Sequence, residues 1–381
     1  MRVLLTGGGT AGHINPALAI AETVKRNRPD AEIAFVGVRN GKETDLVPRE
    51  GYPLHFVKAK GLQKWYHPLY LPSNVEALWL ALISPYAAQT QKILDDFAPD
   101  IVIGTGGYAS WPIMKAAAMR GIPTAVHESN AYPGKTVKRL SSLVDRIWTN
   151  FERTEQELKL KDPGKLLQVG NPLRGGFGAI SREEARQRLG LTEERTLILS
   201  FGGSMGAEGV NRAVIGMMAD YSAGRSEILH VHAAGKRDFD ATREAFCKQG
   251  LDKAGNCILL DYIYDMPLRM AAADVVISRA GAMTLSELAL MRKTAVLIPS
   301  PNVAYNHQYH NAKALADVGA AALVEEKDLG NGALTETVAA LLSDTERRRK
   351  MEERIVAFAN RDANRIIWND ILSLIEKEKD F

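Results

Sequence analysis

Short apolar runs alternate along the chain with stretches whose apolar residues have helical spacing. In the first half, the runs that predict buried strands are Val3–Leu5, Ile33–Val36, Ile101–Ile103, Thr124–Val126 and Arg146–Trp148. The same rhythm restarts further along, with strands predicted at Thr196–Phe201, Ile228–Ala233, Cys257–Leu260, Val275–Ile277 and Ala295–Ile298. Buried strands separated by amphipathic helices are typical of a parallel sheet covered by helices on both faces. The pattern therefore predicts an α/β protein made of two successive doubly wound, Rossmann-like units.

A polar segment rich in turn-forming residues separates the two predicted units. Lys161–Lys165 contains a Pro-Gly pair, and Gly170–Pro172 and Gly175–Gly176 follow it. We expect the boundary between 160 and 180, with domains at 1–165 and 166–355. The helical apolar spacing of Ile366–Ile375 predicts a terminal helix within 356–381. We expect it to pack back towards the first domain, and an ordinary edge helix is the alternative.

The composition is that of a folded protein with nearly balanced charge. The 381 residues include 48 Lys and Arg against 45 Asp and Glu, a net charge of +3, which argues against a protein that coats nucleic acid. Cys247 and Cys257 lack CxxC or paired-histidine spacing, so we expect neither a disulfide framework nor a zinc site. The longest apolar run, Ala77–Ile83, is far shorter than the roughly 20 residues that span a bilayer. We expect a cytoplasmic chain without a signal peptide.

A glycine loop follows the first predicted strand. Gly7–Gly12 contains G-x-G-x-x-G and leads into a helix with Pro16 near its start, an arrangement that brings backbone N–H groups close to an oxygen-rich ligand. An NAD(P) site should also have an acid at the end of the second strand, whereas Phe35–Arg39 has none. An NAD(P) oxidoreductase, with Arg39 at a 2′-phosphate, is therefore a weaker alternative.

The second unit repeats the device, because Leu197–Phe201 leads into Gly202–Ala207. Two α/β units that each present a strand, a glycine loop and a helix suit a reaction of two substrates. The structural alternative is that the glycines only allow close packing of helix on sheet.

Several blocks occur in one order along nearly the whole chain. They are Thr6–Ala19, Gly104–Ser110, His127–Asn130, Gly170–Arg174, Gly202–Ala207, Ser278–Ala289, and Asn306–Gln308 followed by Asn311–Ala312. This ordered set resembles the MurG family, whose members add N-acetylglucosamine (GlcNAc) to lipid I in peptidoglycan synthesis. The resemblance implies a GT-B fold, in which two Rossmann-like domains face a central cleft. The first domain would take the lipid acceptor and the second UDP-GlcNAc.

The resemblance also implies a reaction and a set of contacts. The expected enzyme is an inverting, cofactor-independent transferase that moves GlcNAc to the C4 hydroxyl of undecaprenyl-diphospho-MurNAc-pentapeptide, forming lipid II. The implied donor contacts are Thr10, Ala11, Gly12 and Asn130 on the sugar side, Arg174 and Ser204 at the diphosphate, Ile263 at the uracil, Glu287 at the ribose and Gln308 at the sugar, with Ala282, Met283, Thr284, Leu285 and Ser286 in the same donor-binding segment. A guanidinium matches phosphate geometry, and a carboxylate accepts from two vicinal hydroxyls.

His13 is the residue that we expect to act as the general base, because an imidazole titrates near working pH. One alternative is that His13 only orients the glycine loop. The other is the adjacent pair His127 and Glu128, of which Glu128 could orient or replace His13. No metal is expected, since the D-x-D at Asp238–Asp240 opens a charged helical pattern that is better interpreted as a solvated helix start.

Aromatic and apolar residues cluster in the mildly basic first half. The predicted membrane patch comprises Trp65, Trp79, Leu80, Ile83 and Trp111. Tryptophan favours the bilayer interface, although a core helix is the more ordinary explanation of such a stripe. With the family resemblance, we expect peripheral binding to an anionic membrane surface at the cytoplasmic face. The other functions left open are a UDP-GlcNAc epimerase, a transferase for another lipid, and a nucleotide-sugar binding module without catalysis.

Overall fold

The computed structural model describes residues 1–62, 70–203, 206–303 and 306–379, and the chain divides into two compact units. Unit 1 comprises Met1–Arg174 and Asn360–Phe381, and unit 2 comprises Gly175–Ala359. Unit 1 thus continues past the boundary expected at 165, and the chain returns to unit 1 at Asn360. The segment Gly170–Arg174, which the sequence analysis assigned to the second domain, belongs to the first unit.

Unit 1 contains, among its described residues, a seven-stranded parallel sheet in the order β3-β2-β1-β4-β5-β6-β7. Its elements in chain order are β1 (Arg2–Thr6), α1 (Ala11–Asn27), β2 (Glu32–Gly37), α2 (Glu43–Arg49), β3 (Leu54–Phe56), α3 (Leu71–Ile83), α4 (Ala88–Phe97), β4 (Ile101–Gly104), α5 (Ser110–Met119), β5 (Thr124–Glu128), α6 (Lys135–Leu140), β6 (Arg146–Thr149), α7 (Arg153–Leu158) and β7 (Leu166–Gln168).

Alternate side chains of the unit 1 strands enter two apolar layers. Val3 and Leu5 of β1 pack in the same cluster as residues of α1, whereas Leu4 packs on the opposite face with residues of α5. Ile367 and Ile371 join the first cluster and are fully buried. Burial on both faces explains why these strands are continuous apolar runs in the sequence.

Unit 2 contains, in its described part, a six-stranded parallel sheet in the order β10-β9-β8-β11-β12-β13. Its elements are α8 (Arg182–Arg188), β8 (Thr196–Phe201), α9 (Glu208–Met217), β9 (Ile228–Ala233), α10 (Phe239–Lys248), β10 (Cys257–Leu260), α11 (Met266–Ala272), β11 (Val275–Ser278), α12 (Ala282–Leu290), β12 (Ala295–Leu297), α13 (His307–Asp317), β13 (Ala322–Leu323), α14 (Ala333–Ser343) and α15 (Thr345–Ile355), after which α16 (Ala363–Lys379) belongs to unit 1.

The ten predicted strands are present, with ends that differ by no more than two residues, and the prediction of two parallel doubly wound units is confirmed. Three short edge strands, β3, β7 and β13, are absent from the prediction. Each pairs with one neighbour only, and two or three residues are too few for a recognisable pattern. Among the described residues, no helix is long and apolar enough to cross a membrane.

A chain of buried polar side chains crosses the α9 face of the unit 2 sheet. The Ser222 hydroxyl lies 3.0 Å from His230 Nδ1, and His230 Nε2 lies 3.0 Å from Ser200 Oγ. Ser200 Oγ is also 2.9 Å from His232 Nδ1, and His232 Nε2 is 3.1 Å from Asn211 Oδ1. Because an amide oxygen only accepts, Nε2 of His232 donates to Asn211, and Nδ1 of His232 faces both the Ser200 hydroxyl and, at 3.1 Å, the Ser200 carbonyl oxygen.

Both rings are fully buried, so an extra proton on either one would be a buried charge. Burial lowers the pKa of His232 to about 4 and holds the pKa of His230 well below its ordinary value. The unfolded chain takes up these protons near pH 6.5, so the stability that the neutral rings contribute is complete above pH 6.5 and is lost as pH falls towards 4.

We therefore expect His232→Gln to reduce the acid sensitivity of the fold. Each such histidine adds up to about 1.4 kcal/mol per pH unit to the slope of unfolding free energy between pH 6.5 and 4. Urea unfolding of the variant should show a shallower slope over that interval, whatever its stability at pH 7. His310→Gln, at an exposed position, serves as the control. An unchanged slope in the His232 variant would contradict the assignment.

Candidate active site

The first glycine loop lies against the loop that follows β4. Both loops begin at the carboxyl edge of the sheet, because β1 and β4 are paired neighbours. Gly106 and Gly107 have φ values of 94° and 78°, and a Cβ atom on Gly107 would lie 2.2 Å from the Gly8 carbonyl oxygen. Glycine satisfies both the left-handed backbone and the close contact.

His13, in the first turn of α1, places its ring on this turn. Its Nδ1 lies 3.0 Å from the carbonyl oxygen of Thr105, and the Thr105 hydroxyl donates to the His13 carbonyl oxygen at 2.5 Å. Since a carbonyl oxygen only accepts, Nδ1 carries the hydrogen, and Nε2 is the basic nitrogen of the neutral ring. The contact gives His13 the tautomer that a general base acting through Nε2 requires.

Glu43, which the sequence analysis did not single out, fixes the same loop from another side. Its buried carboxylate accepts from the N–H of Gly9 at 3.1 Å and from the N–H of Val38 at 2.9 Å. An acid is therefore present beyond the end of β2, but it faces the glycine loop, where it holds backbone rather than a ribose. The available signal was an acid two residues after Gly41, at the start of α2.

Glu128, at the end of β5, holds the loop that precedes α6. Its carboxylate accepts from the N–H and side-chain amide of Asn130 at 2.9 and 3.1 Å, and from the N–H of Gly134 at 2.8 Å. Burial raises the pKa of Glu128, and these hydrogen bonds oppose the rise. The geometry makes Glu128 a positioning residue for Asn130, and its role as a proton acceptor stays a prediction.

His127 is buried beside Glu128 and links β5 to the segment that follows β7. Its Nε2 donates to the Gly170 carbonyl oxygen at 2.9 Å, and burial lowers its pKa to about 4. A neutral, enclosed imidazole of this kind suits a structural role better than proton transfer at neutral pH.

The start of α1 carries three of the predicted donor contacts. Thr10 and Gly12 are exposed and Ala11 is buried. Thr10 makes no side-chain capping hydrogen bond, and no acid lies in the first turn. The N-terminus of this 17-residue helix therefore offers backbone N–H groups and a positive dipole end to an oxygen-rich ligand.

Arg174, predicted at the diphosphate, lies in unit 1. Its Nη2 is 2.6 Å from the Glu50 carboxylate, and Glu22 lies within 3.9 Å of its Nε. A phosphate would have to replace Glu50 as the partner of this guanidinium. The diphosphate contact of Arg174 stays a prediction.

The second glycine loop follows β8 in unit 2. Gly206 has a φ of 85°, and a Cβ atom there would lie 2.5 Å from both the Ala234 carbonyl oxygen and an Asp238 carboxylate oxygen. Gly203 has a φ of 95° and open space where its Cβ would be. Ser204, the predicted diphosphate contact, lies outside the described residues.

Glu287 is the most unusual of the predicted donor contacts in α12. Its side chain is partly buried, its carboxylate makes no hydrogen bond or ion pair with the described part of the chain, and burial raises the pKa of Glu287 to about 8. An acid desolvated without a partner costs stability, and such groups are frequent at binding sites, where a ligand supplies the donors. Of the other predicted contacts, Thr284 is partly buried, and those that are buried are Ala282, Met283, Leu285 and Ser286.

Two further donor contacts lie outside α12. The Gln308 side-chain oxygen accepts from the Ser300 N–H at 2.9 Å, so its amide nitrogen is the group suited to a sugar hydroxyl. Ile263 is buried between β10 and α11.

The D-x-D motif contributes to a helix start. Asp238 precedes α10 and pairs with Arg237 at 2.7 Å. Within the described ranges, no group of three or more His, Cys, Asp or Glu side chains could hold a metal ion.

Helix α3 exposes its apolar residues instead of burying them. We use the name α3 patch for Leu71, Val75, Leu78, Trp79, Leu82, Ile83 and Tyr86, which are all exposed. Trp79 and Leu82 expose 58% and 68% of their surface, so the core-helix explanation is wrong for them. Leu80 is partly buried, and Trp65 lies outside the described residues.

Trp111 supports α3 from α5. Its indole Nε1 donates to the Ala81 carbonyl oxygen at 2.7 Å, and its side chain is partly buried. The Lys115 ammonium lies 5.2 Å from the Tyr86 ring centroid and 5.5 Å from that of Trp111, which places a cation beside the α3 patch.

Comparison with known proteins identifies related families and structures. A model described as the glycosyltransferase family 28 N-terminal domain matches residues 3–149, and one described as the C-terminal domain of that family matches residues 197–366. A protein of Acetivibrio thermocellus is 40% identical over 379 residues, covering 100% of this chain and 99% of its own. It is named UDP-N-acetylglucosamine–N-acetylmuramyl-(pentapeptide) pyrophosphoryl-undecaprenol N-acetylglucosamine transferase.

Two solved structures share the fold. The crystal structure of Acinetobacter baumannii MurG aligns with a TM-score of 0.69 at 24% identity, covering 98% of this chain and 99% of that one. A UDP-GlcNAc 2-epimerase from Neisseria meningitidis, solved with UDP-GlcNAc bound, aligns with a TM-score of 0.63 at 14% identity, covering 98% and 100%. These likenesses confirm the fold class predicted from the sequence.

We expect Glu287→Gln to stabilise the fold and to weaken nucleotide binding. Since burial raises the folded-state pKa above its ordinary value, the charged carboxylate destabilises the fold increasingly as pH rises from about 4.5 towards 8. The variant should gain on the order of 1 kcal/mol at pH 8 and almost nothing at pH 5, and bind UDP at least about tenfold more weakly.

Denaturant unfolding and calorimetry would measure the two effects. Glu336→Gln, at an exposed position in α14, is the control and should change neither. Equal stability of the Glu287 variant and the parent at pH 8 would refute the assignment.

Proposed function

The chain belongs to the MurG family of glycosyltransferase family 28, and from that premise we propose that it transfers GlcNAc from UDP-GlcNAc to the C4 hydroxyl of undecaprenyl-diphospho-MurNAc-pentapeptide, forming lipid II. The observation that carries the proposal is the 40% identity over the full chain to a relative named for that transfer. The two predicted groups fit this reaction: His13 lies on the glycine loop of unit 1, and Glu287 in unit 2 has no partner for its carboxylate among the described residues.

Side chains and backbone groups of unit 2 bind UDP-GlcNAc. In unit 2, Glu287 accepts hydrogen bonds from the two ribose hydroxyls, which provide the donors that the carboxylate lacks. The backbone beside Ile263 meets the uracil, and the Gln308 amide nitrogen donates to the sugar. Ala282, Met283 and Thr284 form the first turn of α12, and the amides of such a turn suit a diphosphate.

The reaction is a displacement with inversion at the anomeric carbon. The acceptor O4 forms a bond to C1 of GlcNAc while the bond from C1 to the β-phosphate oxygen breaks, and UDP leaves with the electron pair. Nε2 of His13 takes the proton from O4, because Nδ1 is committed to the Thr105 carbonyl oxygen. The amides of the second glycine loop, with Ser204 and Arg174, stabilise the negative charge on UDP.

The α3 patch binds the anionic surface of the cell membrane at its cytoplasmic face, where the polyprenyl acceptor resides. A helix that exposes tryptophan, leucine and isoleucine with a lysine nearby suits the interfacial region of a bilayer. Patches of this kind mark interaction sites in proteins of this size.

The first test is UDP release from UDP-GlcNAc, in chelator, with and without a short-chain lipid I analogue. We expect release only with the acceptor, together with a disaccharide product. Release or isomerisation of the donor alone would instead indicate a hydrolase or an epimerase.

His13→Ala should lower kcat by the 10²–10⁴-fold typical of general-base loss, with calorimetry showing unchanged UDP-GlcNAc binding. Thr105→Val keeps the shape of the side chain and removes only its hydroxyl contact. We expect a far smaller loss of kcat, because the Thr105 carbonyl oxygen that orients the His13 ring remains. A loss below about tenfold in His13→Ala would remove His13 from the base role.

Trp79→Ser combined with Ile83→Ser should reduce co-sedimentation with anionic vesicles by at least about tenfold, because the variant removes apolar area that enters the interface. Met119→Ser with Val318→Ser, which changes apolar residues of similar exposure elsewhere, is the matched control. Equal sedimentation of the two double variants would contradict membrane binding by the α3 patch.

A further inference from the structure

A pocket of about 740 Å³ lies in unit 1, between α3 and the segments that follow β2, β3 and β4. Its walls include the aromatic and apolar side chains of Phe56, Trp79 and Leu80, and Tyr108 closes one side. The volume is in the range of sites that enclose small ligands, which are about 300–1,000 Å³. None of the predicted site residues accounts for it apart from two members of the membrane patch.

The residues that line the pocket carry excess positive charge. Arg39, Lys58 and Lys60 contribute cations and Glu76 the one lining carboxylate. The Glu76 carboxylate forms an ion pair with the Lys60 ammonium at 2.5 Å. Within the described part of the chain, Arg39 and Lys58 have no carboxylate partner, and the Arg39 guanidinium lies 5.0 Å from the centroid of the Phe56 ring.

Tyr108 is the wall between this pocket and the glycine loop that carries His13. A Cβ atom on Gly9 would lie 3.0 Å from its ring, and one on Gly61 would lie 2.9 Å from it. The ring therefore packs directly on the backbone of both segments. A ligand that filled the pocket would extend to the edge of the first glycine loop.

The pocket is continuous with the α3 patch, because Trp79 belongs to both. The order across unit 1 is thus exposed apolar surface, aromatic pocket with two uncompensated cations, Tyr108, and the glycine loop. A ligand that matches this order has an apolar chain, then an anionic group, then a polar group that reaches the loop.

We propose that this pocket binds the diphosphate and the adjoining isoprene units of a polyprenyl-diphosphate acceptor. The isoprene units lie against Trp79, Leu80 and Phe56, and the diphosphate pairs with Arg39 and Lys58. This assignment rests on the proposed function, and it adds to it a site that holds the carrier independently of the sugar and peptide.

Calorimetry on the full chain, in chelator and without detergent, would test the pocket with farnesyl diphosphate, which has neither sugar nor peptide. We expect it to bind at least about tenfold more tightly than farnesol or inorganic diphosphate, since each of these lacks one of the two matching parts. Arg39→Gln with Lys58→Gln should weaken farnesyl diphosphate binding by about tenfold or more.

Arg26→Gln with Lys92→Gln removes two exposed cations of the same unit that do not line the pocket, and it should leave binding unchanged. Binding needs no turnover, so an inactive protein that binds farnesyl diphosphate would refute the proposed function and keep the pocket. If the protein is active and Arg39→Gln with Lys58→Gln leaves its KM for a polyprenyl acceptor unchanged, the pocket assignment is refuted and the proposed function is kept.

Three further results would overturn the pocket assignment. One is equal binding of farnesyl diphosphate and inorganic diphosphate. Another is a pocket variant that weakens only a soluble muramoyl-pentapeptide nucleotide, which would assign the cations to the peptide carboxylates. The third is a pocket variant that weakens binding to phosphatidylglycerol vesicles as much as it weakens binding of farnesyl diphosphate. That result would make the cations a general surface for lipid headgroups.

Discussion

The close contact between two glycine turns in unit 1 determines the position and the tautomer of His13. The carbonyl of Gly8 approaches Gly107 so closely that no side chain fits between them, and this approach brings the Thr105 carbonyl to the His13 ring. The histidine tautomer thus follows from backbone packing at the carboxyl edge of two paired strands. Glu43 secures the other side of the loop through two backbone N–H groups, so the loop is held in shape before any ligand arrives.

The two units share one architecture but differ in how their acidic and histidine side chains are hydrogen-bonded. In unit 1, Glu43, His127 and Glu128 have hydrogen bonds within the unit. Unit 2 satisfies His230 and His232 in the same way, but it leaves the Glu287 carboxylate without a described partner. Uncompensated desolvation at one residue is a common mark of a binding site, because the ligand restores what folding removed.

Much of the fold could be predicted from the sequence, because central parallel strands buried on both faces leave long apolar runs such as Thr196–Phe201. A short edge strand such as β3, with three residues, leaves no such run. The glycine loops and Glu287 were identifiable by family resemblance. The His13 contact with Thr105 was not, since it joins residues 92 positions apart through two left-handed glycines. Glu43 was missed because a buried acid that holds backbone looks, in sequence, like any charge at a helix start.

Unit 1 is completed by a segment that is synthesised after all of unit 2. The face of α1 that buries Ile14 shares an apolar cluster with Ile367 and Ile371 of α16, and the Trp148 indole donates to Asp370 at 2.7 Å. Unit 2, by contrast, is one uninterrupted stretch from Gly175 to Ala359. During translation, unit 2 can therefore close its core while unit 1 still exposes an unfinished apolar face. The unit that presents the α3 patch is also the one that waits longest for its final helix, so the nascent chain has two separate reasons to need protection from aggregation.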